Sequence, residues 1–299
     1  MIGIIGPTAS GKTSLAVAIA DKVGGEIISA DSRQVYKGMD IGSGKDLSEF
    51  KVNDKKIPYH LIDIKDPGYE YNVYEYQGDF YKAYEKIIDN KATPILCGGT
   101  GLYIEAVLKG YKLVQVPRNE ELRSQLTAKE DDELITLLAT YKVLHNTSDT
   151  LHRDRLIRAI EIEFYTKENK IVEEKYPPID YQLFAIQFER EELKKRITFR
   201  LKERLNNGMV EEVEGLIKKG ITADQLKFYG LEYKFLSQYV MGEINYNDMY
   251  QKLNSAIHQF AKRQMTWFRR MEKNGFKIDW IPGTYSLDEK LALVLERIK

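Results

Sequence analysis

Cysteine is nearly absent from the 299-residue chain: Cys97 stands alone, which excludes an intramolecular disulfide and a cysteine-built zinc site. An excess of either charge is missing too. Lysine plus arginine total 45 and aspartate plus glutamate total 45, so no net field draws in nucleic acid, and any nucleic-acid site has to be a local patch. No apolar run approaches the roughly 18 residues that a membrane-spanning helix needs. Proline is sparse, at 8, and with 43% hydrophobic and 30% charged residues the composition excludes collagen-like and disordered chains. What remains is a globular protein long enough for one large core or two smaller ones. Its first apolar run, Ile2 to Ile5, follows Met1 directly and feeds a glycine loop, so a signal or transit peptide is not expected and a cytoplasmic location is.

Short apolar runs recur at Ile2 to Ile5, Glu26 to Ala30, Tyr59 to Ile64 and Pro94 to Cys97, each followed by turn residues or a longer amphipathic stretch. That alternation predicts an α/β fold, a parallel sheet flanked by helices. Helical spacing runs through Thr13 to Val23 and Val73 to Asp89, and the charged, leucine-bearing stretch Pro117 to Leu144 reads as a helical insertion. Another strand is expected at Leu183 to Phe188. Helices follow at Glu189 to Leu205, Met209 to Lys218 and Asn245 to Met271, and Lys277 to Trp280 returns to the sheet edge. The chain therefore divides into residues 1–114 as the first part of a core, 115–150 as the insertion, and 151–299 as core completion and a helical C-terminal region. No internal repeat or low-complexity tract is present.

Gly6-Pro7-Thr8-Ala9-Ser10-Gly11-Lys12-Thr13 fits G-x-x-x-x-G-K-[ST] between a strand and a helix, the context that a phosphate-binding P-loop requires. Its glycines let backbone N–H groups curl around a phosphate, the helix start adds partial positive charge, Lys12 reaches the outer phosphate and Thr13 offers a hydroxyl to Mg2+. The fold expectation narrows to a P-loop NTPase-like sheet. Asp31, at the end of the next strand, should face this loop across the crevice at the C-terminal ends of the strands. Two readings fit it: a base or water-mediated metal ligand, and a cap on its own turn through Ser32 and Arg33. Gly98 to Tyr103 forms a second turn on the same crevice. Arg196, Arg200 and Arg204 make one helical stripe, either a solvated face or an anion contact. Lys262, Arg263, Arg269 and Arg270 surround Trp267 and Phe268, a mixture suited to RNA, with Trp267 read foremost as core.

Taken together, GPTASGKT at Gly6 to Thr13, DSRQVYKG at Asp31 to Gly38 with Met39 to Gly42 after it, HLIDIKDP at His60 to Pro67, GGTGLY at Gly98 to Tyr103, RLIRAIE at Arg155 to Glu161 and KRQMTWFR at Lys262 to Arg269 resemble the tRNA dimethylallyltransferase family, in order, to about residue 270. The resemblance implies transfer of a dimethylallyl group from dimethylallyl diphosphate to N6 of the adenosine at tRNA position 37, with Mg2+ and without a protein partner, in a monomer. It implies Asp31 as general base, with Lys12 and Thr13 also catalytic. Gly6 to Thr13 and Arg196 or Arg200 are the implied diphosphate contacts. Ser32, Gln34, Gly99, Thr100, Gly101, Arg155, Arg158, Lys262, Arg263 and Gln264 are the implied tRNA contacts, and the insertion becomes part of a clamp on the anticodon stem-loop. One departure is Gly42-Ser43-Gly44-Lys45-Asp46, where the family shows G-T-A-K-P.

The chemistry is consistent with those residues. An exocyclic amine is a weak nucleophile that has to be aligned, deprotonated and matched with a stabilised leaving diphosphate, and a stacked adenosine has to flip out to reach the cleft. Three rivals use the same loop: a small-molecule kinase with Asp63 as second metal ligand, an isopentenyltransferase acting on free adenine nucleotides, and a nucleotide switch or RNA-binding module without turnover.

Overall fold

The computed structural model describes residues 1–143, 150, 152–169 and 176–298. Leu144, the expected end of the insertion's leucine-bearing stretch, and Leu151 lie outside the described residues. In chain order the elements are β1 (Ile2–Ile5), α1 (Lys12–Val23), β2 (Gly25–Ala30), β3 (Lys51–Val52), β4 (Lys55–Lys56), β5 (Tyr59–His60), α2 (Val73–Asp89), β6 (Thr93–Gly98) and α3 (Gly101–Lys109). Then come α4 (Glu120–Thr127), α5 (Asp131–Tyr141), α6 (Arg153–Glu168), β7 (Gln182–Gln187), α7 (Arg190–Asn206), α8 (Met209–Lys218), α9 (Ala223–Phe228), α10 (Leu231–Val240), α11 (Tyr246–Lys273), β8 (Ile278–Pro282) and α12 (Leu287–Arg297).

Six strands form one parallel sheet in the order β5-β2-β6-β1-β7-β8. With helices packed on it, β1 lies between β6 and β7, and Ile4 and Ile5 are fully buried, which is why the strand reads as a continuous apolar run rather than an alternating one. Ile4, Leu15, Ile19, Ile27, Ile95, Phe184, Ile281 and Val294 share one core, so strands far apart in sequence are held by the same apolar contacts. The α2 helix begins on a capping box in which Asn72 and Glu75 satisfy each other's backbone N–H groups. One strand expectation needs correction. The run Tyr59 to Ile64 is strand only at Tyr59–His60, because Leu61 (φ 61) and Asp63 (φ 56) turn into the left-handed region. The turn hydrogen-bonds instead to the segment after β2, through Asp63 N–H to Gln34 O and Ile64 N–H to Val35 O. The result is the P-loop NTPase-like arrangement of a parallel sheet flanked by helices.

The chain forms two compact units, Met1–Gly110 with Pro177–Lys299, and Tyr111–Tyr176. In the second, α4, α5 and α6 gather around Leu126, Leu134, Leu138, Leu156, Ile157 and Ile160. The α6 helix, placed after the insertion by the sequence reading, packs within this unit because its apolar residues fall at helical spacing toward α5. Glu161 is its polar anchor. The buried carboxylate accepts from Arg123 Nε at 3.0 Å and Nη2 at 2.9 Å, from Arg158 Nη1, and from the Asn119 N–H at 2.7 Å. Burial pushes this carboxyl up, but the two guanidinium groups and the backbone donor outweigh it and bring it to about 2. A carboxyl depressed by folding stabilises above its unfolded value and loses that contribution as pH falls through the folded one, so the window runs from about pH 4.5 down to 2. Hydrogen exchange of the α6 amides is expected to show a loss of protection across that window. Glu161→Gln should lose about 2 kcal/mol of protection at neutral pH, less than a fully buried pair because Arg123 and Arg158 can turn to solvent, and should flatten the acid limb.

Candidate active site

Parallel strands deliver their C-terminal turns to one edge of the sheet, and the turns after β1, β2 and β6 build the site there. The loop Gly6 to Gly11 joins β1 to α1. Ala9 (φ 61) and Gly11 (φ 79) both take the left-handed conformation that lets the loop close on itself, and strain at a non-glycine residue such as Ala9 is characteristic of ligand-holding loops. Ser10 is buried and its hydroxyl has no partner within the protein. The Lys12 ammonium lies 3.5 Å from Pro7 O. Burial pushes it below the ordinary lysine range, and Arg200 and Arg204 add to that effect against the opposing Cys97 and Asp31.

Lys12, Thr13, Ser29, Asp31, Gln34, Phe50, Cys97 and Gly98 line a cleft of about 260 Å³. Asp31 Oδ1 accepts from the Arg33 N–H at 2.9 Å, capping the turn, and the residue lines the cleft with Lys12 and Thr13. Ser32 is tied to the neighbouring turn, its N–H donating to Thr100 Oγ1 at 3.1 Å and the two hydroxyls 3.4 Å apart. Gln34 is held at both ends, accepting from the Ser29 hydroxyl at 2.8 Å and donating to Gly44 O at 3.2 Å. Burial raises the Cys97 thiol to about 12, so it is no nucleophile.

A second cavity, of about 280 Å³, opens beside the loop between Thr8, Ala9, Arg200, Arg204, Glu232 and the apolar Ile197, Leu201, Met209 and Ile257. The arginine stripe divides here. Arg196 donates to Ala9 O at 3.0 Å and lies 4.7 Å over the Phe188 ring, so it braces the loop's backbone. Arg200 and Arg204 line the cavity itself. Burial pushes the Arg204 guanidinium below its usual range, with Arg200 adding to it.

Gln264 stands apart from the other expected RNA contacts. It is buried, and its amide is used at both ends, Oε1 accepting from the Thr8 N–H and Nε2 donating to Gly99 O, each at 2.9 Å. It therefore clamps the phosphate loop to the β6 turn instead of facing solvent. Gly99 and Gly101 belong to the same packing: a Cβ would meet Gln264 Nε2 at 2.4 Å at the first and the Trp267 ring at 2.4 Å at the second. Trp267 Nε1 donates to the buried Glu105 at 2.9 Å, and Arg270 donates to the same oxygen at 3.0 Å while stacking 4.0 Å over the indole. Lys262, Arg263 and Arg269 are exposed on the opposite face of α11. In the second unit Arg155 is exposed and Arg158 is engaged by Glu161 and, at 2.8 Å, Val116 O.

Sequence reasoning missed the loop that closes the site from the other side. Lys45 is completely buried, donating to Tyr36 O, Asp40 and Asp63. The Asp63 carboxylate that a kinase would need is thus engaged with an ammonium. Glu212 of α8 accepts from the N–H groups of Asp40, Ile41 and Gly42 at 2.7 to 3.0 Å and from the Tyr233 hydroxyl at 2.8 Å. A fully buried lysine held between a carboxylate five residues before it and another eighteen after it leaves no recognisable pattern, although a lysine between glycine turns was a hint.

A phosphate loop at the edge of a parallel sheet, with a lysine, a hydroxyl, a facing carboxylate and two cavity-lining arginines, defines a P-loop enzyme built around a polyphosphate group. Residues 34–271 match the family described as IPP transferase, and residues 1–57 that described as isopentenyl transferase. The chain is 52% identical over its whole length to tRNA dimethylallyltransferase 2 of Bacteroides fragilis, covering 98% of that protein. It is 54% identical to tRNA dimethylallyltransferase 1 of Parabacteroides distasonis over 99% of this chain and 96% of the other. Among solved structures, the full-length tRNA isopentenylpyrophosphate transferase of Bacillus halodurans is 30% identical with a TM-score of 0.72, over 99% of this chain and 94% of that one. The chain belongs to the tRNA dimethylallyltransferase family, whose members are prenyltransferases.

If the Gln264 amide sets the shape of the loop, Gln264→Leu strands the Thr8 N–H and the Gly99 carbonyl. It should lower stability by roughly 2 kcal/mol in a thermal or urea melt. Gln264→Glu keeps the acceptor for Thr8 but sets a carboxylate against Gly99 O, and should weaken inorganic diphosphate binding more than the leucine variant does. Unchanged melts and affinities in both variants would show that the clamp is dispensable.

Proposed function

We propose that the chain transfers the dimethylallyl group of dimethylallyl diphosphate to N6 of the adenosine at tRNA position 37, releasing diphosphate. The observation that carries this reading is the convergence of Lys12, Thr13 and Asp31 on one cleft beside a loop of backbone donors. In the reaction the N6 nitrogen forms a bond to the allylic carbon, the carbon–oxygen bond to diphosphate breaks with its electron pair leaving on oxygen, and the amine proton passes to Asp31. Lys12 and the loop N–H groups of Ala9 to Thr13 hold the departing charge where it develops, supported by Arg200 and Arg204. Arg196 and Gln264 position the loop.

The donor set at the start of α1 suits Mg2+. Among the described residues no three His, Cys, Asp or Glu side chains gather into a cage, and a single hydroxyl, Thr13, next to a polyphosphate is the usual protein share of such a site. Bound there, the ion would neutralise the leaving diphosphate. Ser32, Gln34, Gly99, Thr100 and Gly101 shape the adenosine side of the crevice, Gln34 and the two glycines chiefly through contacts within the protein. The Tyr111–Tyr176 unit supplies a clamp on the anticodon stem-loop, with the exposed Arg155 as its contact and Arg158, held by Glu161, as part of its frame. No described helix is long and apolar enough to cross a membrane, and a tRNA substrate accords with work in the cytoplasm.

Incubation with dimethylallyl diphosphate and undermodified tRNA, followed by digestion to nucleosides and mass spectrometry, tests the whole reading. Prenylation of free AMP as efficient as that of tRNA, or phosphoryl transfer from ATP faster than either, would replace it. Asp31→Asn should lower kcat about 100-fold while leaving donor affinity within a few-fold, since shape is kept and the base lost. Near-wild-type turnover in that variant would remove Asp31 from the role, and activity in excess EDTA equal to that with Mg2+ would remove the ion.

Exposed charge on α11 provides a separate test. Replacing Lys262, Arg263 and Arg269 together by glutamine should raise KM for tRNA, leave donor affinity unchanged and flatten the salt dependence by roughly one unit of slope per lost phosphate contact. Arg270 is excluded from that set, because removing it would take from the buried Glu105 its 3.0 Å guanidinium partner and leave it with Lys109 and the Trp267 N–H. An unaltered tRNA KM and slope would move the RNA to another face.

A further inference from the structure

Asp46 is the acidic group at the site that the reaction does not use. It follows the buried Lys45, and its backbone is left-handed at φ 43, a conformation unfavourable for a residue with a Cβ. In that conformation its carboxylate enters the arginine wall of the cavity beside the phosphate loop. Its Oδ2 accepts from Nη2 of Arg200 and lies 3.7 Å from Nη2 of Arg204. Arg204 is largely enclosed, with 13% of its side chain exposed, yet its Nε and Nη2 have no hydrogen-bond partner in the protein. Gly44 permits the approach: a Cβ there would sit 1.8 Å from the Arg204 guanidinium. Two buried donors aimed at a cavity shared with Thr8 and Ala9 call for an anion, and the Asp46 carboxylate is near them without satisfying them. Burial pushes the Asp46 carboxyl up, but Arg200, Arg204 and Lys12 together hold it below the ordinary range, so it stands as an anion among three cations.

We propose that Asp46 is a built-in competitor of the diphosphate group: its carboxylate positions Arg200 and Arg204 while the pocket is free of donor, yields them when a diphosphate enters, and by repulsion speeds departure of the diphosphate product. The inference rests on the reading of this pocket as the diphosphate site. Asp46 is a positioning residue, acting on the ligand through the two arginines. Asp46 holds an Arg200 Nη2 proton that a diphosphate would also use, so in a donor-loaded pocket the two anions compete for Arg200 and repel each other until the product leaves.

Removing the charge while keeping the backbone isolates the effect, and both asparagine and glycine tolerate a positive φ. Wild type, Asp46→Asn and Asp46→Gly are to be titrated with inorganic diphosphate by calorimetry at fixed Mg2+ and salt. Loss of one like charge a few ångströms from the ligand should tighten binding about tenfold in Asp46→Asn and in the same direction in Asp46→Gly. In steady-state assays both KM for dimethylallyl diphosphate and kcat should fall, because release of product slows. A merely structural residue would produce neither the tightening nor that joint fall. The gain should vanish in an Arg200→Gln background. A folded Asp46→Asn or Asp46→Gly protein that binds diphosphate no tighter than wild type overturns the proposal, and so does a collapse in stability of both variants without tightening in either. Lys12→Ala serves as the control for the underlying reading: if it binds diphosphate as well as wild type does, the pocket is not the diphosphate site, and that failure is distinct from the failure of Asp46.

Discussion

The site depends on one primary amide. Parallel strands bring the turns after β1 and β6 to the same edge, but a shared edge leaves two backbone loops side by side without fixing either. Gln264 fixes both, with its oxygen on the Thr8 N–H and its nitrogen on the Gly99 carbonyl, from a helix 256 residues away in sequence. The clamp works because its base is rigid. The α11 helix buries Met249, Leu253, Ile257, Ala261, Phe268 and Met271 along one face, and the Trp267–Glu105–Arg270 contact fastens the same helix to α3. The glycines of the β6 turn let the helix come this close, so their role is one of space for α11 as much as of room for a ligand.

Around that clamp the protein treats Lys45 and Lys12 differently. Lys45 is neutralised by Asp40 and Asp63 and by a backbone carbonyl, and its charge is used to hold the Asp40 to Asp46 loop against the turn after β5. Lys12 has no such carboxylate pair, and with Arg200 and Arg204 in its surroundings its ammonium is held below the ordinary lysine range. Concentrated positive charge in a partly desolvated pocket is costly until an anion arrives, and the unsatisfied donors of Ser10 and Arg204 repeat the same imbalance in hydrogen bonds. An anion that fits there meets donors already aimed by the fold. Pre-aimed donors of this kind need little reorganisation when the leaving group takes up its charge.

How much of this was legible in the sequence depended on whether a feature was local. The α2 helix runs over the residues that its 3.6-residue periodicity indicates, and β1 and its loop lie where the apolar run and the glycines put them, because each is decided by neighbours within a few residues. The strand at Tyr59 was read too long, since Leu61 and Ile62 are apolar and buried but lie in a turn: burial alone does not make a strand when a backbone takes positive φ. Asp31 and the phosphate loop were found because both motif and strand-end position point to chemistry. Arg204, Asp46, Lys45 and Glu212 were not assigned roles, since each has at least one deciding partner 18 to 172 residues away and no spacing records those meetings. Gln264 entered only as a tRNA contact implied by the resemblance; its hold on the Thr8 N–H and the Gly99 carbonyl depends on a helix phase and on partners far away in sequence.

That helix phase also separates two kinds of charge on α11 that composition cannot tell apart. Gln264, Phe268 and Met271 face the core, which turns Lys262, Arg263 and Arg269 outward and leaves Arg270 at the margin, stacked on Trp267 and bound to Glu105. A chain with 45 basic and 45 acidic residues has no overall attraction for a polyanion, so an RNA must find positive charge that the protein has not already neutralised. Arg270 and Arg158 are spent on buried glutamates, and Lys45 on two aspartates. The exposed trio lies on the same helix that clamps the phosphate loop. A helix anchored at its core face and basic at its outer face joins the clamp on the phosphate loop and un-neutralised positive charge on one rod.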